Sequence, residues 1–268
     1  MTFALGPRAT SAGYRLEAFD QVGSTNLEAM ARAREGDRGS IWFVTAEQIA
    51  GRGRRQRPWI SPRGNLPCSV LEVLDVAPAT AATIGFAAGL ATEAALRKVS
   101  LEATLRAGLG SFEYELKWPN DVLVGGSKLV GISLDAETVD AHLAVVAGIG
   151  INVVAAPEGT PTPAISLKAL GVQIAAEELF SALSDSWVEF LGIWDDGRGF
   201  GQIRKLWLER ATGLGKAVAI KSAGSIIEGT FETIDEQGCM MVRTPAGRLM
   251  PITAGDVYFG STASAGAV

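Results

Sequence analysis

The chain has 268 residues, 47% of them hydrophobic and 20% charged, which suits one large domain or a large one beside a small one and excludes a disulfide-stapled miniprotein or a disordered tail protein. Lys and Arg number 24 against 29 Asp and Glu, a net charge of −5 with a pI near 5.1, so overall charge points to no polyanion partner and any basic site must be local. The longest uncharged runs, Val76 to Thr92 and Leu143 to Pro157, are broken by Gly, Pro, Thr or Asn and read as a buried helix and a buried strand, not membrane spans; with no basic head and apolar stretch opening the chain, the cytoplasm is the expected location.

Tyr14 to Phe19 alternates as a strand, and Thr25 with Glu28 forms a capping box that opens a short helix. Ser40 to Gln48 is β-branched and aromatic, while Ile49 to Asn65 carries Gly, Pro and Arg without periodicity, a long loop of the kind that binds something. Leu66 to Leu74 reads as a strand, Thr80 to Val99 as an Ala-rich amphipathic helix, and Glu113 to Trp118 as a strand stopped by Pro119. Two strands then meet at Gly125-Gly126, a hairpin signal. Leu143 to Val154 is a fully apolar strand, and Ala175 to Trp194 and Phe200 to Thr212 are amphipathic helices.

From Leu214 onward short strands are expected at Lys216 to Lys221, Ile226 to Ile234, Cys239 to Arg243, Arg248 to Pro251 and Val257 to Phe259. That pattern suggests a small, partly open β-barrel appended to an α+β domain. The boundary falls near Gly213, dividing the chain into 1–213 and 214–268, the latter ending in a small-residue tail after Gly260 that is expected to fray.

Scarce residues narrow the chemistry. Cys68 and Cys239 belong to no CxxC pair or Cys/His cluster and read as inert core thiols. The single histidine, His142, cannot supply a zinc site and a Ser/His/Asp arrangement and reads as a solvated or hydrogen-bonded structural residue. Charge neutralisation by Arg and Lys is the remaining resource.

That resource is concentrated in Gly51-Arg-Gly-Arg-Arg-Gln-Arg-Pro-Trp59, which with Arg63 holds a block of positive charge free of acids in an acidic chain. Such a block suits an anionic guest: the glycines let backbone amides approach it, and Arg offers planar bidentate donors for phosphate or carboxylate. Alone, the stretch leaves a solvated basic loop or a nucleic-acid patch as the lesser alternative; it lacks the Gly-Lys-Ser/Thr ending of a Walker loop. A second constellation is Lys117-Trp-Pro-Asn-Asp121 with Lys128-Leu-Val-Gly131, where Asn120 and Asp121 can offer oxygen ligands to Mg²⁺ between two lysines. Gly148-Ile-Gly-Ile-Asn152 ends an apolar strand in glycines and an amide.

Taken in order, Ser24-Thr-Asn26 and these four motifs resemble the bacterial biotin protein ligases over roughly residues 15 to 260. The resemblance implies a class II synthetase-like catalytic domain, a mixed sheet flanked by helices, followed by an SH3-like barrel. It implies a two-step reaction in which biotin and MgATP form biotinyl-5′-adenylate and pyrophosphate, and a lysine of a biotin carboxyl carrier protein domain of a biotin-dependent carboxylase takes the biotinyl group. By position, Ser24, Thr25 and Gln48 would bind biotin's ureido ring with Asn26 beside them, and Arg52 and Lys128 the valerate carboxylate and then the acyl phosphate. Gly51, Gly53 and Gly131 would let the main chain close on the ligand. Arg54, Arg55 and Arg57 would order the loop over adenylate and pyrophosphate, with Arg54 counted among the catalytic residues, and Trp59 would cap the pocket. Lys117, Asn120, Asp121 and Asn152 would form the ATP and Mg²⁺ side, with Asp121 as metal ligand or proton acceptor.

Two features depart from the family or from part of it. Gln56 stands where the family usually has Gly, giving the loop less access to positive φ. The residues before Ser24 contain no pair of helices joined by a tight turn, so a ligase without operator binding is expected. The alternatives are a lipoate or octanoate ligase or transferase on the same fold, and a nucleic-acid-binding module with the arginines on phosphate. The resemblance also implies a homodimer.

Overall fold

Seven strands form one mixed sheet in the computed structural model, which describes residues 2–53, 57–108, 110–160, 162–222 and 225–259. The order along the chain is α1 (Pro7–Ser11), β1 (Arg15–Phe19), α2 (Thr25–Arg34), β2 (Gly39–Thr45), β3 (Leu66–Leu74), α3 (Pro78–Ala81), α4 (Ile84–Ala107), β4 (Glu115–Lys117), β5 (Asp121–Val124), β6 (Ser127–Val139), β7 (His142–Ile151), α5 (Ala176–Trp194) and α6 (Phe200–Leu208). In space the strands run β1-β2-β3-β7-β6-β5-β4. β1 and β2 are parallel and the other neighbours antiparallel.

Side chains alternate between the two faces of each strand, and the faces have different fates. On one, Trp42 of β2 meets Phe180 and Trp187 of α5 edge-on at 5.5 and 6.0 Å, and Phe86 of α4 meets Phe200 and Trp207 of α6 at 5.4 and 5.3 Å, the T-shaped contacts aromatic quadrupoles favour. The helical run Pro78–Leu105 is long and apolar enough to cross a membrane, yet 72% of its apolar window is buried inside the protein, as the reading of Val76 to Thr92 as a buried helix requires. On the opposite face α2 sets Ala29, Met30 and Ala33 on Ile41, Phe43, Leu71, Ala144 and Val146. It covers only that part, and the continuation of the face along β3, β7 and β6 carries the site.

Several expected details are corrected. The cap of α2 is Ser24, one residue before the expected capping box, and makes no side-chain cap bond; the Thr25 N–H donates instead to Gln48 Oε1 at 2.9 Å. The helix expected over Thr80 to Val99 is a single turn, α3, followed by the longer α4. Cys68 is buried as expected, but Cys239 is half-buried and so not a core thiol. His142, by contrast, is hydrogen-bonded as expected of a structural residue, to Asp75 at 2.6 Å.

Beyond Gly213 come β8 (Ala217–Ser222), β9 (Ser225–Ile234), β10 (Met240–Arg243), β11 (Leu249–Ile252) and β12 (Asp256–Phe259), in the order β11-β10-β9-β8-β12. The edge strands β11 and β12 do not pair with each other, so this sheet is open. Trp118 Nε1 donates to Gly238 O at 3.1 Å and Arg204 Nη1 to Ile234 O at 2.8 Å, tying it to the turn after β4 and to α6. The tail after Gly260 lies outside the described residues.

Glu72 of β3 is a buried carboxyl that takes hydrogen bonds from Tyr14 Oη at 2.6 Å, Trp187 Nε1 at 2.9 Å and Ser40 Oγ at 3.3 Å. Burial pushes it above the ordinary glutamate range, and these donors pull it part of the way back. The folded chain therefore keeps a proton the unfolded chain releases, and stability falls as pH rises above the ordinary glutamate range. In Glu72→Gln, Oε1 still accepts from Tyr14 and Trp187 while Nε2 donates to Ser40, and the titration is gone. Urea denaturation across that range is expected to show the stability of E72Q minus that of the wild type rising with pH; a difference that stays constant or falls contradicts the assignment.

Candidate active site

A cavity of about 350 Å³ occupies the face that α2 leaves open. Ser24, Thr25, Asn26, Gln48, Arg52, Gly53, Arg57, Trp59, Lys117, Asn120, Asp121, Lys128, Gly131 and Asn152 all line it. Five separate motifs of the sequence thus converge on one space. Arg54, Arg55 and Gln56 lie outside the described residues. Gly51 does not line the cavity but supports it: its carbonyl accepts from the Trp59 N–H at 2.9 Å, and a Cβ there would come within 2.3 Å of Gln48 Nε2 and 2.5 Å of Trp59 O.

Strand register explains the floor. Ser69 of β3, Gly148 of β7 and Ser133 of β6 are cross-strand partners in one row, and Pro67, Gly150 and Gly131 form a second row on the same face. Asn26 lies across the first row, where a Cβ on Gly148 would stand 2.0 Å from Asn26 Oδ1. Trp59 lies across the second, where a Cβ on Gly150 would stand 2.3 Å from Trp59 Nε1 and one on Gly131 2.8 Å from Cζ3. These glycines are needed for close approach rather than for a turn.

The wall beyond Asn26 is polar and hydrogen-bonded throughout. Gln48 Oε1 accepts from the Thr25 N–H at 2.9 Å, the Thr25 and Ser69 hydroxyls are 2.7 Å apart, and Ser69 Oγ donates to Asn26 Oδ1 at 2.6 Å. Asn26 Nδ2 donates to Asp135 at 2.7 Å and to Ser133 Oγ at 3.2 Å.

The opposite wall is cationic. Lys128 Nζ stands 2.7 Å from Asp121 Oδ1 and 5.4 Å from the Trp59 ring centre, and no other donor among the described residues reaches that buried oxygen. Lys117 is buried, with Nζ 5.9 Å from the Phe259 ring. Burial, reinforced by the Lys128 ammonium, holds it below the ordinary lysine range against the opposing pull of Asp121 and Asp256. Arg57 reaches across to Asp256 of β12 at 2.7 Å, so the C-terminal sheet completes this rim. Arg63, grouped by sequence with the loop arginines, is bound to Asp20 and Glu47 and does not face the cavity. Trp59 Nε1 and Asn152 Oδ1 are buried with no hydrogen-bond partner among the described residues, as in a site waiting for polar groups from outside.

The described residues hold no group of three His, Cys, Asp or Glu side chains able to bind a metal ion. Asp121 is thus one carboxylate in a cationic setting, and a Mg²⁺ ion there would depend on oxygens brought by a nucleotide. Cys68 is no nucleophile, because burial pushes its thiol far up.

Sequence reading missed Ser69, Ser133, Asp135 and Asp256. Ser69 left a trace as the one hydroxyl inside the otherwise apolar Leu66 to Leu71. Asp256 left none, since only the tertiary fold brings it to Arg57.

Comparison with known proteins agrees with this geometry. The Biotin/lipoate A/B protein ligase family profile matches residues 19–152, and the Biotin protein ligase C terminal domain profile matches residues 213–260. The biotin--[acetyl-CoA-carboxylase] ligase of Paracoccus denitrificans is 36% identical over 88% of this chain and 97% of its own length. The chain belongs to the biotin protein ligase family. The ligase of the same description from Mycobacterium tuberculosis is 32% identical over 93% of this chain and 90% of its own. Among solved structures, biotin protein ligase from Aquifex aeolicus in complex with biotin and ATP superimposes with a TM-score of 0.72 at 24% identity, over 92% of this chain and 98% of that one. The mixed sheet with its helices is therefore the ligase fold, and this ligase is an enzyme.

Proposed function

We propose that the cavity binds biotin against its polar wall and ATP against its cationic wall, and that the two react across the glycine floor. The observation that carries this is the meeting of both walls in one cavity, the Gln48-Thr25-Ser69-Asn26 chain on one side and Arg52, Arg57, Lys117 and Lys128 on the other. A cyclic urea buried there needs partners for its N–H and C=O groups, and Ser24, Thr25 and Gln48 supply them with Asn26 beside. Trp59 caps the apolar body of the ligand. Gly53 and Gly131 admit the main chain close to it.

In the first step a biotin carboxylate oxygen bonds to the α-phosphorus and the bond to the β-phosphate oxygen breaks, releasing pyrophosphate and leaving biotinyl-5′-adenylate. No proton moves, so the protein's work is positioning and charge neutralisation. Arg52 and Lys128 hold the carboxylate and then the acyl phosphate. Arg54, Arg55 and Arg57 order the loop over the phosphates, and Lys117, Asn120 and Asn152 hold the nucleotide. Asp121 would hold a Mg²⁺ ion brought by ATP, and such an ion would supply further charge neutralisation. In the second step the lysine amine of a biotin carboxyl carrier protein domain attacks the acyl carbon, AMP leaves, and Asp121 accepts the ammonium proton.

The unit over 1–213 performs this chemistry. The unit over 214–268 is an SH3-like, partly open barrel, and its β12 completes the rim of the cavity, the latter supported by the Arg57–Asp256 pair. The ligase works in the cytoplasm as a homodimer joined along a sheet edge.

Pyrophosphate release tests the reading. ATP with biotin is expected to give release, and ATP with lipoate or octanoate none; release with lipoate or octanoate alone keeps the fold and replaces the substrate. Biotin and MgATP together should raise the melting temperature more than either alone, since a ligand at about a hundredfold excess over Kd stabilises by about 2.7 kcal/mol.

A further inference from the structure

The hydrogen bonds on the polar wall have a direction, and a carboxylate outside the cavity sets it. Asp135 of β6 is exposed and absent from the cavity lining, yet accepts from Asn26 Nδ2 at 2.7 Å. A carboxylate only accepts, so Asn26 must turn its amide nitrogen to Asp135 and its Oδ1 to Ser69. Ser133 Oγ, the other neighbour of Nδ2 at 3.2 Å, is a hydroxyl that suits either orientation and decides nothing. Ser69, fully buried, then commits its one proton to Asn26 Oδ1. The 2.7 Å contact between the Ser69 and Thr25 hydroxyls is therefore filled by the Thr25 proton, for which Gln48 Oε1 at 3.2 Å is the longer alternative acceptor inside the same wall. Thr25 Oγ1 has no proton left for the cavity and meets a ligand as an acceptor. Gln48 has the complementary polarity: its Oε1 is taken by the Thr25 N–H, so its amide N–H groups are what it can offer.

We propose that Asp135, acting through Asn26 and Ser69, is a positioning residue that fixes the Thr25 hydroxyl as an acceptor for a ligand N–H. This polarity favours a cyclic urea over carboxylic acids of similar length that have no N–H to give. The inference rests on the reading of the cavity as a biotin site and adds to it the cause of its selectivity.

Calorimetric titration of biotin, octanoate and ATP into the wild type, Asp135→Ala and Asp135→Asn tests it. Without Asp135, Asn26 turns over freely and Thr25 no longer holds one polarity, so D135A is expected to bind biotin about tenfold more weakly, the scale of one hydrogen bond. D135N keeps a carbonyl acceptor for Asn26 and is expected to stay within about twofold of the wild type. ATP affinity, octanoate affinity and melting temperature are expected unchanged in both, since Asp135 is a surface residue. Wild-type biotin affinity in D135A overturns the inference, as does D135N losing as much as D135A, or biotin and ATP weakening together. A wild-type chain that does not bind biotin at all instead removes the reading of the cavity, and the inference falls with it.

Discussion

Lys128→Ala is expected to slow biotin-dependent pyrophosphate release by about a hundred- to a thousandfold, the loss typical of deleting one preorganised charge from a transition state. The side chain is held in place three ways. Asp121 anchors its ammonium at 2.7 Å, the Trp59 ring lies under it at 5.4 Å, and its Cε and Nζ are within 3.2 Å of where a Cβ on Gly131 would be. An ammonium so fixed needs little reorganisation as charge develops on the carboxylate and phosphate oxygens. Two effects of the substitution are separable: the lost catalytic charge, and the unpaired Asp121 carboxylate left half-buried. The second shows as a lower melting temperature and is relieved in the Asp121→Asn, Lys128→Ala double variant; the first persists there. Recovery of wild-type rates in the double variant would show that Lys128 acts only as the counter-ion of Asp121.

The next largest effect is expected at a residue with no side chain. In Gly150→Ala the new Cβ would lie 2.3 Å from Trp59 Nε1 and 2.4 Å from Cε2, while no backbone is among its nearest neighbours. The indole therefore leaves the cavity wall and the sheet stays. Removal of that cap is expected to weaken biotin about a hundredfold, since burying a large ring and its partner surface contributes roughly 2–3 kcal/mol. Trp59→Ala should show the same loss, and the double variant no more than either single one, because both remove one contact. Binding titrations with additive losses would mean that Gly150 serves something other than Trp59.

The legible parts of this protein were those whose reason lies within a few residues. β3 spans Leu66–Leu74 as the apolar run predicts, and the hairpin of β5 and β6 turns at Gly125 and Gly126, both with positive φ. The site motifs were visible because phosphate and carboxylate chemistry concentrates Arg, Lys, Asn and Gly in short stretches. α1, at five residues, is too short to show a period. The capping box failed because Thr25 finds a tertiary partner in Gln48, which competes with the local bond. Arg63 was grouped with the wrong charges, since Asp20 is distant along the chain and meets it only in the fold. Gly148 and Gly150 show in the sequence only as glycines ending an apolar strand, and their meaning comes from register, which sets Asn26 and Trp59 over them. Asp256, on a different sheet from Arg57, had no local signal at all.

The most direct test of the account is the intact mass of a biotin carboxyl carrier protein domain incubated with this ligase, biotin and MgATP. A gain of one biotinyl group is predicted, absent without ATP and absent when the carrier's acceptor lysine is changed to arginine. No gain in the complete mixture, with a carrier domain that another biotin protein ligase does modify, would contradict it.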